Sequence, residues 1–301
     1  MPDRSVWWKI LVALWMTYFL ARVLQIFPLK VPTLLIVVLH VLPPAAFAIL
    51  HGRRLYGTRG ILVFTAFCLG AGVLFESLSL RTGFPFGRYY FTSVMGLRVF
   101  QLPILLALAW LGIGYLSWVL ASLILGAQPL SRTAVLVQPL VAAFLMTTWD
   151  LAMDPVWCNV DRAWVWTRGG PWFGVPLSNF FGWYLTTWLF SQAFALWLRR
   201  REPWPVPPRW QTLAVLMYAT AALGNLLLAF PSAVPSVVPA TIIDAAGRRW
   251  PTSDAVQACF LVSLLVMTPL AVLAWSRIPR SSGCIPSTRV RSARLSDQTG
   301  V

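Results

Sequence analysis

The chain has 301 residues, of which 58% are apolar and 11% charged, and its mean hydropathy is +0.71. Soluble domains carry about 25% charged residues, so the composition excludes an ordinary soluble domain and indicates a polytopic membrane protein. The net charge of +15 does not point to a nucleic-acid partner, because the arginines cluster between apolar segments, where they orient a chain and meet anionic headgroups.

Eight apolar segments, each about 20 residues as a helical crossing requires, are predicted near 6–27, 31–50, 60–80, 102–125, 133–153, 179–198, 210–230 and 256–276. The expected fold class is therefore all-α, a polytopic transmembrane helical bundle of about eight spans. The first segment lacks a cleavage site and reads as a retained span rather than a signal peptide. A short turn around Pro28, Lys30 and Pro32 separates it from the second. One transmembrane domain is expected over 1–276, followed by a basic, disordered, cytoplasmic tail over 277–301. Eight spans put both termini on one side. That side carries Arg4, Arg53, Arg54, Arg59, Arg132, Arg199, Arg200, Arg201, Arg209 and the arginines of the tail. The other side carries the smaller set Lys30, Arg81, Arg88, Arg98, Arg162, Arg168, Arg248 and Arg249. The positive-inside rule then places both termini in the cytoplasm and the chain in the inner membrane.

The third segment contains Glu76. A charged side chain at mid-bilayer costs about 2.5–3.5 kcal/mol even on lenient scales, so an acid there in a chain with only 9 acids calls for a functional reason. Beyond it runs RTGFPFGRYYFT, residues 81–92. Gly83, Pro85 and Gly87 make this stretch turn-rich. Phe84, Phe86, Tyr89, Tyr90 and Phe91 make it aromatic, either as an interfacial belt or, beside Glu76, as the rim of a site.

The fifth segment ends in WDLAMDPVW, residues 149–157. Asp150 and Asp154 are four apart and share a helical face, where two like charges repel. In a dry site one proton is shared or held by one of the two. Pro155 is expected to end the helix, since the residue before proline disfavours the α region. The alternative is that Asp154 lies among headgroups and Asp150 pairs with an arginine such as Arg88.

WVWTRGGPWFGVPLSNFFGWY, residues 164–184, follows. Trp166 and Trp183, with Trp157, Trp164 and Trp172, either anchor the chain at the interface or build a wall of π faces able to hold a polyene and stabilise a carbocation. Ser178 and Asn179, at the start of the sixth segment, are placed to hold a water or orient a carboxyl. His51, beside Arg53 and Arg54, reads as a surface residue, and His40 as a residue packed in the bundle. The cysteines show no metal spacing. There is no P-loop, GxGxxG, GxSxG or histidine-box pattern, and no cofactor is called for.

Taken in order, Glu76 with TGFPFGRYYFT, then WDLAMDPV, then VWTRGGPWFGVPLSNFFGWY resemble the membrane-integral carotenoid biosynthesis protein family, which includes γ-carotene 1′,2′-hydratases and bisanhydrobacterioruberin hydratases. The resemblance is carried by residues 76–184. It implies cofactor-free addition of water to the terminal 1,2 double bond of an acyclic (ψ) carotenoid end, giving a tertiary alcohol. The implied partners are a lipid-soluble carotenoid, water, membrane lipids and other carotenoid biosynthesis enzymes.

The residues suit that chemistry. Hydrating a trisubstituted alkene needs an acid to protonate the less substituted carbon, a pocket that tolerates the tertiary cation, and a base for the surplus proton. Asp150 or Glu76 is the expected donor and Asp154 the expected base. Phe84, Phe86, Tyr89, Tyr90, Trp149, Trp166, Asn179 and Trp183 are the expected substrate-binding residues. A lycopene cyclase-like enzyme, in which an internal double bond captures the same cation, is a rival reading. A non-catalytic carotenoid-binding or transport protein is another, although no paired repeat of the transporter kind is visible.

Overall fold

The computed structural model describes residues 4–27, 30–126, 131–201, 207–230 and 238–279. Among them are seven helices: α1 (Arg4–Leu24), α2 (Thr33–Thr82), α3 (Ile104–Leu125), α4 (Arg132–Asn159), α5 (Leu177–Leu198), α6 (Pro208–Leu227) and α7 (Thr252–Ser276). All of α7 is continuous, with one wider π turn over Ser263–Met267. The helix α2 is 50 residues long. Straight, it would run about 75 Å, more than twice the ~30 Å hydrocarbon core. It bends instead at Gly57 (φ 72°, ψ 171°), a conformation reserved for glycine. Beyond the bend the arms run side by side, since a methyl group on Gly52 would stand 2.4 Å from Ile61 Cδ1. Counting the two arms separately, each of the eight expected spans coincides with a helical segment.

Helices α1, α2, α3, α4 and α7 are long and apolar enough to cross a membrane. Large apolar side chains on these helices face outward, among them Leu20, Leu62, Leu74, Leu136 and Leu265. An apolar exterior of this kind needs lipid, and helices satisfy their own backbone groups there. The chain is a membrane-spanning helical bundle. Its centre is packed by aromatic rings, with Phe64, Phe190, Phe194 and Trp118 buried and meeting largely edge to face.

The most extensive helix contacts are between α2 and α3 and between α4 and α5, and the loops after α2 and α4 pair with each other. Strand β1 (Tyr89–Phe91) pairs antiparallel with β4 (Trp164–Trp166), with Tyr89 opposite Trp166. Two further antiparallel ribbons are β2 (Arg98–Val99) with β3 (Leu102–Pro103), in the loop after α2, and β5 (Thr241–Ile243) with β6 (Arg249–Pro251), in the connection between α6 and α7.

Two expectations are corrected. Pro155 does not end α4, which continues to Asn159. A proline deprives the carbonyl four residues earlier of its helical donor, and here that carbonyl, Leu151, accepts from Trp172 Nε1 at 3.2 Å. Pro139, inside the same helix, is treated alike: the Val135 carbonyl accepts from Gln192 Nε2 at 3.1 Å. His51 is not a surface residue; it is fully buried, with Nδ1 2.6 Å from the Tyr115 hydroxyl. The basic tail expected from 277 lies, from residue 280 on, outside the described residues, as does Pro28 of the first turn.

Candidate active site

The turn after α2 sets the rim. Gly83 caps the helix in the left-handed region (φ 90°). Ser79 Oγ donates to the Gly87 carbonyl (2.9 Å) and accepts from the Phe86 amide (3.2 Å), while Ser178 Oγ, at the start of α5, donates to the Phe86 carbonyl (3.0 Å). This stitching turns Phe86 inward, where it is 1% exposed, and leaves Phe84 outside at 56%. The β1–β4 pairing then decides the next residues by its two-residue period. Tyr89, Phe91, Trp164 and Trp166 point in; Tyr90 points out.

Beneath this ribbon is one cavity. Its walls include Glu76 from α2, Asp150 and Asp154 from α4, and Asn179 from α5. Phe86, Tyr89, Trp149, Trp166 and Trp183 also line it, so every expected site residue except Phe84 and Tyr90 faces the same space. Three acids from two helices, far apart in sequence, are brought together there.

Their hydrogen bonds differ in a way that matters chemically. Asn179 Nδ2 donates to both Asp150 Oδ2 (2.7 Å) and Asp154 Oδ2 (2.8 Å), so one amide bridges the pair. The other oxygen of Asp154 accepts from Trp164 Nε1 (2.7 Å) and, at longer range, Trp166 Nε1 (3.4 Å). Asp154 therefore meets three N–H donors, a setting that suits a carboxylate. Among the described residues Asp150 meets only the Asn179 amide and has no donor on Oδ1, a setting that suits a carboxylic acid with a proton to give. Glu76 accepts from Trp110 Nε1 (3.0 Å) on one oxygen and from the Tyr89 hydroxyl on the other. Burial, and next the Glu76 carboxylate, hold the Tyr89 hydroxyl well above the ordinary phenol range, so it remains a donor. Among the described residues the one ion pair is Arg248 with Asp244, so Asp150 does not pair with Arg88. Asp154, 1% exposed, does not lie open to the headgroups.

The walls are aromatic. Trp183 lines the cavity and is backed by Trp110, stacked on it at 4.0 Å and 12°, Trp149 meets Trp183 at 5.9 Å, and Tyr89 meets Trp166 at 4.8 Å. Such faces attract a cation within about 6 Å. Reading the sequence did not pick out Tyr18, Arg22 or His40 as site residues, and all three line the cavity, as do Trp157 and Trp164 of the expected aromatic wall. For Arg22 a signal existed: an ionisable residue inside an apolar span is a site hypothesis by the same reasoning as Glu76.

A family model described as "Carotenoid biosynthesis protein" matches residues 30–245. No curated protein and no solved structure matches the chain.

Proposed function

Starting from a chain that belongs to the carotenoid biosynthesis protein family, we propose that it is a carotenoid hydratase adding water to the terminal 1,2 double bond of an acyclic end group. Membership gives the role in carotenoid biosynthesis; the reaction is our reading of the cavity. The observation that carries it is the Asn179 bridge between two carboxyls with unequal donor sets.

The chemistry balances on that pair, which holds one proton at rest. Asp150 gives its proton to the less substituted alkene carbon, and a tertiary cation forms beside it. The faces of Trp149 and Trp183, which line the cavity, and the Glu76 carboxylate stabilise the cation. A water oxygen adds to the cationic carbon, and Asp154 removes the surplus proton from the resulting oxonium. The pair again holds one proton, and the net change is one water added across one C=C bond. Tyr89 and Trp110 fix Glu76, and Trp164 and Trp166 fix Asp154. The substrate is a lipid, which is why such a site belongs within a membrane. In this reading the protein sits in the inner membrane with both termini in the cytoplasm, as the Lys/Arg distribution favours, and works beside other carotenoid biosynthesis enzymes.

Expression in a host that accumulates acyclic carotenoids, followed by mass spectrometry of the pigments, tests this. A hydratase yields a carotenoid heavier by one water. A product of unchanged mass but altered chromatographic mobility would mean cyclisation, and unchanged pigment retained on the purified protein would mean a binding role.

A further inference from the structure

Arg22 is a buried charge that the reaction above does not use. It lies near the end of α1, is 3% exposed and lines the same cavity as the acids. Its side chain crosses α6 at Gly224, where a methyl group would stand 2.2 Å from Arg22 Cδ. Nε and Nη2 donate to the Tyr18 hydroxyl (3.2 and 2.8 Å), and Nη1 reaches Gln25 Oε1 at 3.5 Å. A guanidinium carries five N–H bonds, so two remain without a protein acceptor among the described residues. The Tyr18 oxygen already accepts twice, so its own hydrogen also needs an acceptor. Gln25 is not free to turn, because its Nε2 donates to the Gly224 carbonyl and its Oε1 also faces His40 Nε2 at 3.1 Å. His40 is fixed in turn by Nδ1, 2.6 Å from the Ile36 carbonyl.

The ligand of this donor-rich pole must accept hydrogen bonds. It must also be neutral, since an anion would enter a space already lined by Glu76, Asp150 and Asp154. The cavity leaves about 60 Å³ for the centres of water-sized molecules, several times the roughly 10–15 Å³ that one water requires. Water meets every condition. Building on the hydratase reading, we propose that Arg22 and Tyr18, held by Gln25 and His40, form a water-holding subsite that supplies the nucleophile to the cation formed at the carboxyl pair.

The two fates of that cation give the test. With water at hand, a C–O bond forms and the oxonium loses a proton to Asp154. Without it, the cation loses a proton from a neighbouring carbon and returns to an alkene, with no change in composition. In heavy water both routes leave deuterium in the carotenoid, but only the first adds oxygen. Membranes carrying the full-length chain, or its Arg22→Met or Tyr18→Phe variant, would be incubated with an acyclic carotenoid in heavy water and the pigments weighed by mass spectrometry. Arg22→Met should lower the alcohol at least tenfold and Tyr18→Phe about threefold, while deuterium continues to enter the unhydrated carotenoid. Alcohol yields equal to wild type in both variants would overturn the subsite. So would a parallel fall of alcohol and deuterium in both, which would mean that these residues serve protonation or folding. A wild-type chain that neither hydrates nor deuterates would instead sink the hydratase reading on which the subsite rests.

Discussion

Trp172 and Leu151 are joined by a 3.2 Å hydrogen bond from the indole Nε1 to the carbonyl oxygen that Pro155 leaves without a helical donor. The bond lets α4 pass through its proline, so that Asp154 stays on the cavity face of the helix, one turn beyond Asp150.

Trp172→Phe should therefore destabilise the protein by about 1–3 kcal/mol, the cost of stranding a shielded acceptor, seen as a lower melting temperature in detergent. Pro155→Ala restores a backbone donor to Leu151. In that background the same Trp172→Phe change should cost measurably less. Equal costs in the two backgrounds would mean that the indole does not serve the proline gap.

Asp150→Asn should lower hydration by about 10²–10⁴-fold, the range for loss of a general acid, with normal amounts of protein in the membrane. Asp154→Asn and Glu76→Gln should each lower it by tenfold or more, through loss of the base and of the carboxylate facing the cation. Pigment analysis at matched expression decides this, and full activity in all three would remove the carboxyl scheme.

Asn179→Leu keeps both carboxyls of the pair and removes the amide that bridges them. Activity should fall about as far as in Asp150→Asn, because Asp150 then loses the amide that orients it beside Asp154, which Trp164 and Trp166 still hold. Activity within twofold of wild type would show that the bridge is dispensable.

The folded state keeps a proton on Tyr89 that the unfolded chain, with an ordinary phenol, gives up near pH 10. Its folded value is raised, so its stabilising contribution is complete below about pH 10 and is lost as the pH rises further. Tyr89→Phe should remove that part of the alkaline slope in thermal unfolding and weaken the hold on Glu76. An identical slope in the variant would show that Tyr89 does not cause it.

Gly57 carries α2 through its bend in a conformation closed to other residues. Gly57→Ala should reduce accumulation in the membrane, read as the yield of folded protein, whereas Gly70→Ala, where an added methyl meets nothing within 4 Å, should not. Equal yields would argue against a strained bend.

What could be read from the chain follows from how local each signal is. The helical segments and the cost of Glu76, Asp150 and Asp154 in them are properties of short stretches, and they pointed to residues that share one cavity. The difference between Tyr89 and Tyr90 is not local. It depends on β1 lying opposite β4, 75 positions away in the Tyr90–Val165 pair, and nothing near Tyr90 announces that partner. Phe84 and Phe86 look alike in sequence and part company because Ser79 and Ser178 hold only the second in place. Pro155 reads as a helix stop until Trp172 is brought to Leu151. His51 sits beside exposed Arg53 in sequence but is claimed by Tyr115, a residue of α3. Arg22 carried the same signal as the acids, yet one cation in a span also reads as a topology marker; its unmet donors are visible only beside Tyr18 and Gln25.

The central claim is that the Asp150–Asn179–Asp154 unit adds the oxygen of water to a carotenoid C=C bond. The most direct measurement incubates membranes carrying wild type or Asp150→Asn with an acyclic carotenoid in water enriched in oxygen-18. A tertiary alcohol carrying the heavy oxygen from wild type, and at most a hundredth as much from Asp150→Asn, is the expected result. Equal labelled alcohol from both, or a wild-type product without the label, would contradict it.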